Sequence, residues 1–103
     1  MRMIKDEAEF DALLAETKSV FVDFYADWCG PCKMVSPLVE KLSGINTDVT
    51  FVKVNVDDVP ELAQRYGVMS IPTLIAVKNG ELAGTVIGYH PEPELQALVD
   101  AAR

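Results

Sequence analysis

The sequence predicts an α/β fold: a mixed five-stranded sheet with four helices distributed over both faces. Three observations predict it. Apolar runs of strand period alternate with apolar stripes of helical period, in the order β-α-β-α-β-α-β-β-α. The one strand-to-strand junction reads Lys78-Asn79-Gly80-Glu81, and Asn-Gly between apolar runs marks a tight hairpin. The run from Val20 to Ala26 is apolar on both faces except at Asp23, so it needs cover from both sides. Crossover helices make the first three strands parallel, and the hairpin makes the last pair antiparallel. With 103 residues, the chain makes one domain spanning 1–103.

Each element has its own local signal. Residues 2–5 suit a short edge strand. Asp6 followed by Glu9 resembles a capping box, and Phe10, Leu13 and Leu14 follow at helical spacing. In the strand Val20 to Ala26, Val22 and Phe24 share one face while Phe21, Asp23 and Tyr25 share the other. The second helix opens in Asp27-Trp28-Cys29-Gly30-Pro31-Cys32, carries an apolar stripe of Val35, Leu38, Val39 and Leu42, and finds a stop at Gly44. Pro37 falls inside it and is expected to kink it, since proline donates no backbone hydrogen bond. A third strand runs from Val49 to Val56, with Lys53 and Asn55 on the face of Phe51. Asp58-Val59-Pro60-Glu61 starts a third helix and Gly67 ends it. Thr73 to Val77 and Leu82 to Ile87 are the hairpin strands, and a last helix carries Leu95, Leu98, Val99 and Ala102.

Composition narrows the function. A net charge of −7 disfavours nucleic acid and anionic membranes, whose surfaces repel such a chain. No stretch approaches the ~18 apolar residues of a membrane span. The N-terminus lacks the apolar core of a secretory signal, which points to a cytoplasmic protein, and a monomer is expected at this size.

The chemistry centres on two cysteines. Positions i and i+3 of a helix lie roughly 5–6 Å apart, within the ~4.4–6.8 Å between Cα atoms that a disulfide spans. Cys29 and Cys32 can therefore cycle between dithiol and disulfide with little backbone motion. Cys29 stands where a helix begins, and the free N–H groups and positive dipole end there favour a thiolate, the attacking species in disulfide exchange. Cys32 lies a turn deeper and is expected to be less exposed. Cys29 is thus assigned as attacker and Cys32 as resolver. Half of a zinc site is the alternative, but a structural site needs four ligands, and the chain has only these two cysteines and one histidine, His90. No metal is expected, and His90 reads as a surface loop residue.

Val22-Asp23-Phe24-Tyr25-Ala26-Asp27-Trp28-Cys29-Gly30-Pro31-Cys32-Lys33 resembles the active-site segment of the thioredoxin family. Pro37, Lys53-Val54-Asn55-Val56-Asp57, Tyr66-Gly67-Val68-Met69-Ser70-Ile71-Pro72-Thr73, Lys78-Asn79-Gly80 and Gly88 fall in step, so the resemblance covers nearly the whole chain. Tyr25 departs from it, since many members carry tryptophan there. The resemblance implies the thioredoxin fold and a protein-disulfide reductase. Its clients are disulfide-containing proteins, and a thioredoxin reductase, a flavoprotein drawing on NADPH, recycles it. No cofactor is expected on this chain, because the sulfurs carry the electrons. A disulfide oxidant or isomerase on the same fold and a redox-controlled binding subunit are the alternatives.

Supporting residues follow. Asp23 sits mid-strand among apolar neighbours, where an ionised carboxylate is costly, so a raised pKa or a partner is expected. The resemblance gives it proton transfer with Cys32 through water, and places the Lys53 amine nearby, where it modulates the acid. The alternative for Lys53 is a strand lysine whose stem covers apolar surface. Trp28 either fills core or shields the cysteines and helps dock substrate. An X-Pro bond is ordinarily trans, with cis at only about 5–6%, whereas the resemblance implies cis at Ile71–Pro72. That geometry would set the Ile71 backbone beside Cys29, free to pair with an extended substrate segment. Trp28, Gly30, Pro31, Ile71, Pro72 and Gly88 make up the candidate substrate surface.

Overall fold

A computed structural model describes residues 1–103. Nine elements occur in the expected order: β1 (Arg2–Met3), α1 (Glu7–Glu16), β2 (Ser19–Tyr25), α2 (Gly30–Ile45), β3 (Thr50–Asn55), α3 (Pro60–Arg65), β4 (Thr73–Lys78), β5 (Glu81–Ile87) and α4 (Glu92–Ala101). The sheet order is β1-β3-β2-β4-β5. β1 and β2 both run parallel to β3, while β4 is antiparallel to both β2 and β5. β2 lies at the centre, and the alternation of its side chains supplies both halves of the core. Val20, Val22 and Phe24 pack with Phe10 and Leu13 of α1 and Leu62 of α3. Phe21 packs with Val35, Val39 and Leu42 of α2 and Leu95, Leu98 and Val99 of α4. Helices therefore cover both faces in pairs, α1 with α3 and α2 with α4.

Local chemistry accounts for most boundaries. Asp6 caps α1 by accepting the Glu9 N–H at 2.8 Å, and the Glu9 carboxylate accepts the Lys5 N–H at 2.7 Å. α3 starts at Pro60 and ends in a Schellman arrangement. There the Val68 N–H reaches the Ala63 carbonyl and the Gly67 N–H the Gln64 carbonyl, with Gly67 at φ +64°. Asn79 and Gly80 both have positive φ, +52° and +80°, as a type I′ turn requires.

One expectation needs amendment. The stop expected at Gly44 lies inside α2, because Gly44 keeps helical backbone and the helix runs on to Ile45. Asn46 ends it instead: its backbone N–H and its side-chain amide both donate to the Leu42 carbonyl, at 2.8 and 3.0 Å. Asn46 is buried and also pairs with Gln96 of α4, a contact no local pattern reveals. Pro37 lies inside α2, as expected.

Candidate functional site

The cysteines sit where central strand β2 hands over to the longest helix. Cys29 is the N-cap of α2 in extended backbone (φ −87°, ψ 110°), and Gly30 and Pro31 form the first helical turn. The Cys29 Sγ accepts the Cys32 N–H at 3.1 Å, the position that a capping oxygen normally fills. The two cysteines are joined by a disulfide, with their Cα atoms 5.3 Å apart.

Exposure does not separate the two cysteines as expected. Cys29 is 3% exposed and Cys32 5%, so the attacker is no more open than the resolver in the disulfide form. The reason is that Ala26, Tyr25, Val56 and Ile71 close over the pair as a small third core. What does separate them is their surroundings. Cys29 faces the Ile71 carbonyl, 3.7 Å from its Sγ. Cys32 lines a cavity of about 170 Å³ shared with Asp23, Lys53, Lys33 and Asp27, and Cys29 is not among its lining residues.

Asp23 is 4% exposed and its Oδ1 has no hydrogen-bond partner. Burial pushes its carboxyl from 3.8 up to about 6, against a smaller opposing pull from the Lys53 charge. Lys53 is the register partner of Asp23 on β3, which puts both side chains on the α2 face of the sheet. Its ammonium lies 5.6 Å from the centre of the Tyr25 ring.

Of the candidate substrate surface, Trp28 and Ile71 lie together on one groove. Trp28 is 71% exposed, which rules out the core alternative, and its indole N–H donates to Asp57 Oδ2 at 2.9 Å. The Ile71–Pro72 bond is cis, and neither the N–H nor the carbonyl of Ile71 has a backbone partner. Trp28 and Ile71 line an apolar groove with Val56, Val68 and Met69. Gly30, Pro31, Pro72 and Gly88 are not among its lining residues: the first two belong to the helix turn, and the Gly88 N–H is tied to the Pro72 carbonyl at 2.8 Å. His90 lies in the β5–α4 loop as expected, between Glu94 and the Ile87 carbonyl. No group of three or more His, Cys, Asp or Glu residues could hold a metal ion. Asp57 joins the site from outside the candidate surface drawn from the sequence. For Asp57 the only local signal is its N–H accepted by the Asn55 side chain, which orients the turn after β3.

Comparisons with known proteins agree with this geometry. The family model described as Thioredoxin matches residues 2–101. The chain is 46% identical over 99 residues to a thioredoxin of Mycoplasmoides gallisepticum, covering 96% of this chain and 99% of that protein. It is 48% identical over 89 residues to the thioredoxin of Bacillus subtilis, covering 84% and 86%. The X-ray structure of Fasciola hepatica thioredoxin superposes with a TM-score of 0.93 at 33% identity, over 100% of both chains.

Proposed function

The chain belongs to the thioredoxin family and is a protein-disulfide reductase, and on that premise we propose that Cys29 attacks the client disulfide and Cys32 resolves the product. The observation that carries this assignment is the Cys32 N–H directed at the Cys29 Sγ at the mouth of a helix of 16 residues. Once the disulfide is reduced, that amide and the helix dipole stabilise negative charge on Cys29. The clients are proteins that carry disulfides.

The steps follow from the placement of the groups. An extended client segment lies against Trp28 and Ile71, where the free Ile71 N–H and carbonyl accept it as an added strand. The Cys29 thiolate attacks one client sulfur. The client S–S bond breaks, a mixed disulfide forms, and the departing client thiolate takes up a proton. Cys32 then loses its proton to Asp23 through water in the shared cavity, which at about 170 Å³ has ample room for it. The Cys32 thiolate attacks the Cys29 sulfur, the second client thiolate leaves, and the internal disulfide remains. Two electrons have passed to the client.

Those two electrons must be restored for another cycle. The reading is completed by a flavoprotein thioredoxin reductase drawing on NADPH, acting on a monomer in the cytoplasm, a compartment whose reducing poise suits a dithiol donor. No helix is long and apolar enough to cross a membrane. The test is reduction of a protein disulfide with a chemical reductant recycling the site. Cys32→Ser is expected to trap the mixed disulfide and Cys29→Ser to trap none. Trapping by Cys29→Ser alone would reverse the roles.

A further inference from the structure

The Lys53 ammonium has two possible partners on the α2 face of the sheet. One is the Asp23 carboxylate, directly opposite on β2. The other is the Tyr25 ring, one alternation further along the same strand and opposite Asn55, hence diagonal to Lys53. The structure resolves this choice in favour of the ring. The ammonium lies 5.6 Å from the ring centre, within cation–π range. Every ion pair of the molecule lies elsewhere, and Asp23 Oδ1 is left without a partner. Burial holds the Tyr25 phenol above its usual range, so the ring presents a neutral face.

We propose that Tyr25 is a positioning residue for the resolving half of the reaction: its ring seats the Lys53 ammonium beside the Asp23 carboxyl and keeps the two from closing into an ion pair. The inference rests on the role given above to Asp23. A carboxylate locked in an ion pair is a poor acceptor for the Cys32 proton, whereas an unpaired one in a cavity shared with Cys32 is a good one. The other groups around the cavity are Asp27 in the loop after β2 and Lys33 and Cys32 of α2. β4 sets only Leu74 beside Asp23, and β1 sets Met3 beside Lys53. Lys53 is thus the cation placed in register with Asp23, and the ring is the aromatic surface that engages it. The Tyr25 hydroxyl donates to the Met3 sulfur at 3.8 Å, and it is the ring whose centre lies 5.6 Å from the Lys53 ammonium.

The test is the titration of the Asp23 carboxyl carbon, followed by NMR on the full-length oxidised chain. Tyr25→Phe keeps the ring and is expected to keep the wild-type midpoint. Tyr25→Leu frees the ammonium to reach the carboxylate and is expected to lower the midpoint by about one pH unit; Tyr25→Met serves the same purpose should the leucine variant fail to fold. In a Lys53→Met background the same ring removal is expected to leave the midpoint where Lys53→Met alone puts it. An unmoved midpoint in the wild-type background would overturn the proposal. So would an equal drop with and without Lys53, which would trace the effect to water entering the space left by the ring. The pH profile of mixed-disulfide resolution provides the second readout, and it should move with the midpoint. A moved midpoint with an unmoved profile would uphold the seat and overturn instead the role assigned to Asp23.

Discussion

Replacing Asp23 by asparagine removes the one buried acid of the central strand, and its effect can be worked from the structure. Burial shifts the carboxyl from 3.8 to about 6, roughly two pH units, and at about 1.4 kcal/mol per unit this comes to about 3 kcal/mol. The sign is set by which state holds the proton. Between about pH 4 and pH 6 the unfolded chain has released it and the folded chain retains it, so the wild type loses stability as pH rises through that window. Above pH 6 the loss is complete and stays constant. Asparagine carries no charge at any of these pH values and suffers no such loss. The gap between variant and wild type is therefore expected to open by about 3 kcal/mol from pH 4 to pH 7 in favour of the variant. Below pH 4 both side chains are neutral, and whatever gap remains there measures the exchange of a carboxylic acid for an amide beside an unpartnered Oδ1. Urea unfolding of the oxidised proteins at pH values from 3.5 to 8, read by tryptophan fluorescence, supplies the comparison. A gap that is flat with pH, or one that closes as pH rises, would refute the claim that burial dominates at Asp23.

Three further outcomes are expected. Asp57→Ala frees the Trp28 indole, so emission from the chain's single tryptophan should shift to the red and the KM for a protein client should rise more than kcat falls; unchanged emission would show that the 2.9 Å hydrogen bond does not hold the ring. Gly67→Ala places a Cβ at φ +64° and should destabilise by about 1–2 kcal/mol through the end of α3, seen as a lower urea midpoint with an unchanged m-value. The oxidised chain, equilibrated with a glutathione buffer, should keep its disulfide, as a reductant must; ready loss of the disulfide would favour the oxidant reading instead.

Features set by near neighbours in the chain are legible in the sequence by itself. Asp6 with Glu9 caps α1, Gly67 closes α3, and Asn79-Gly80 turns the hairpin, because each is a hydrogen bond or a backbone angle decided within about five residues. The N-cap position of Cys29 belongs to the same class. Alternation along β2 likewise reveals that Asp23 is buried, since both faces of a central strand are covered.

Features that need two distant segments brought together are decided by the tertiary structure alone. Asn46 overrides Gly44 as the end of α2 with the help of Gln96 on another helix. Cys29 is as buried as Cys32 because Val56 and Ile71 arrive from elsewhere in the chain. Gly30, Pro31, Pro72 and Gly88 fall outside the groove while Val56, Val68 and Met69 enter it, and Lys53 settles on Tyr25 instead of Asp23. The physical reason is one of range. A cap or a turn is chosen by the few dihedral angles on either side of it, whereas the neighbours of a side chain across a sheet depend on strand order and register. Those are settled only when the whole core packs.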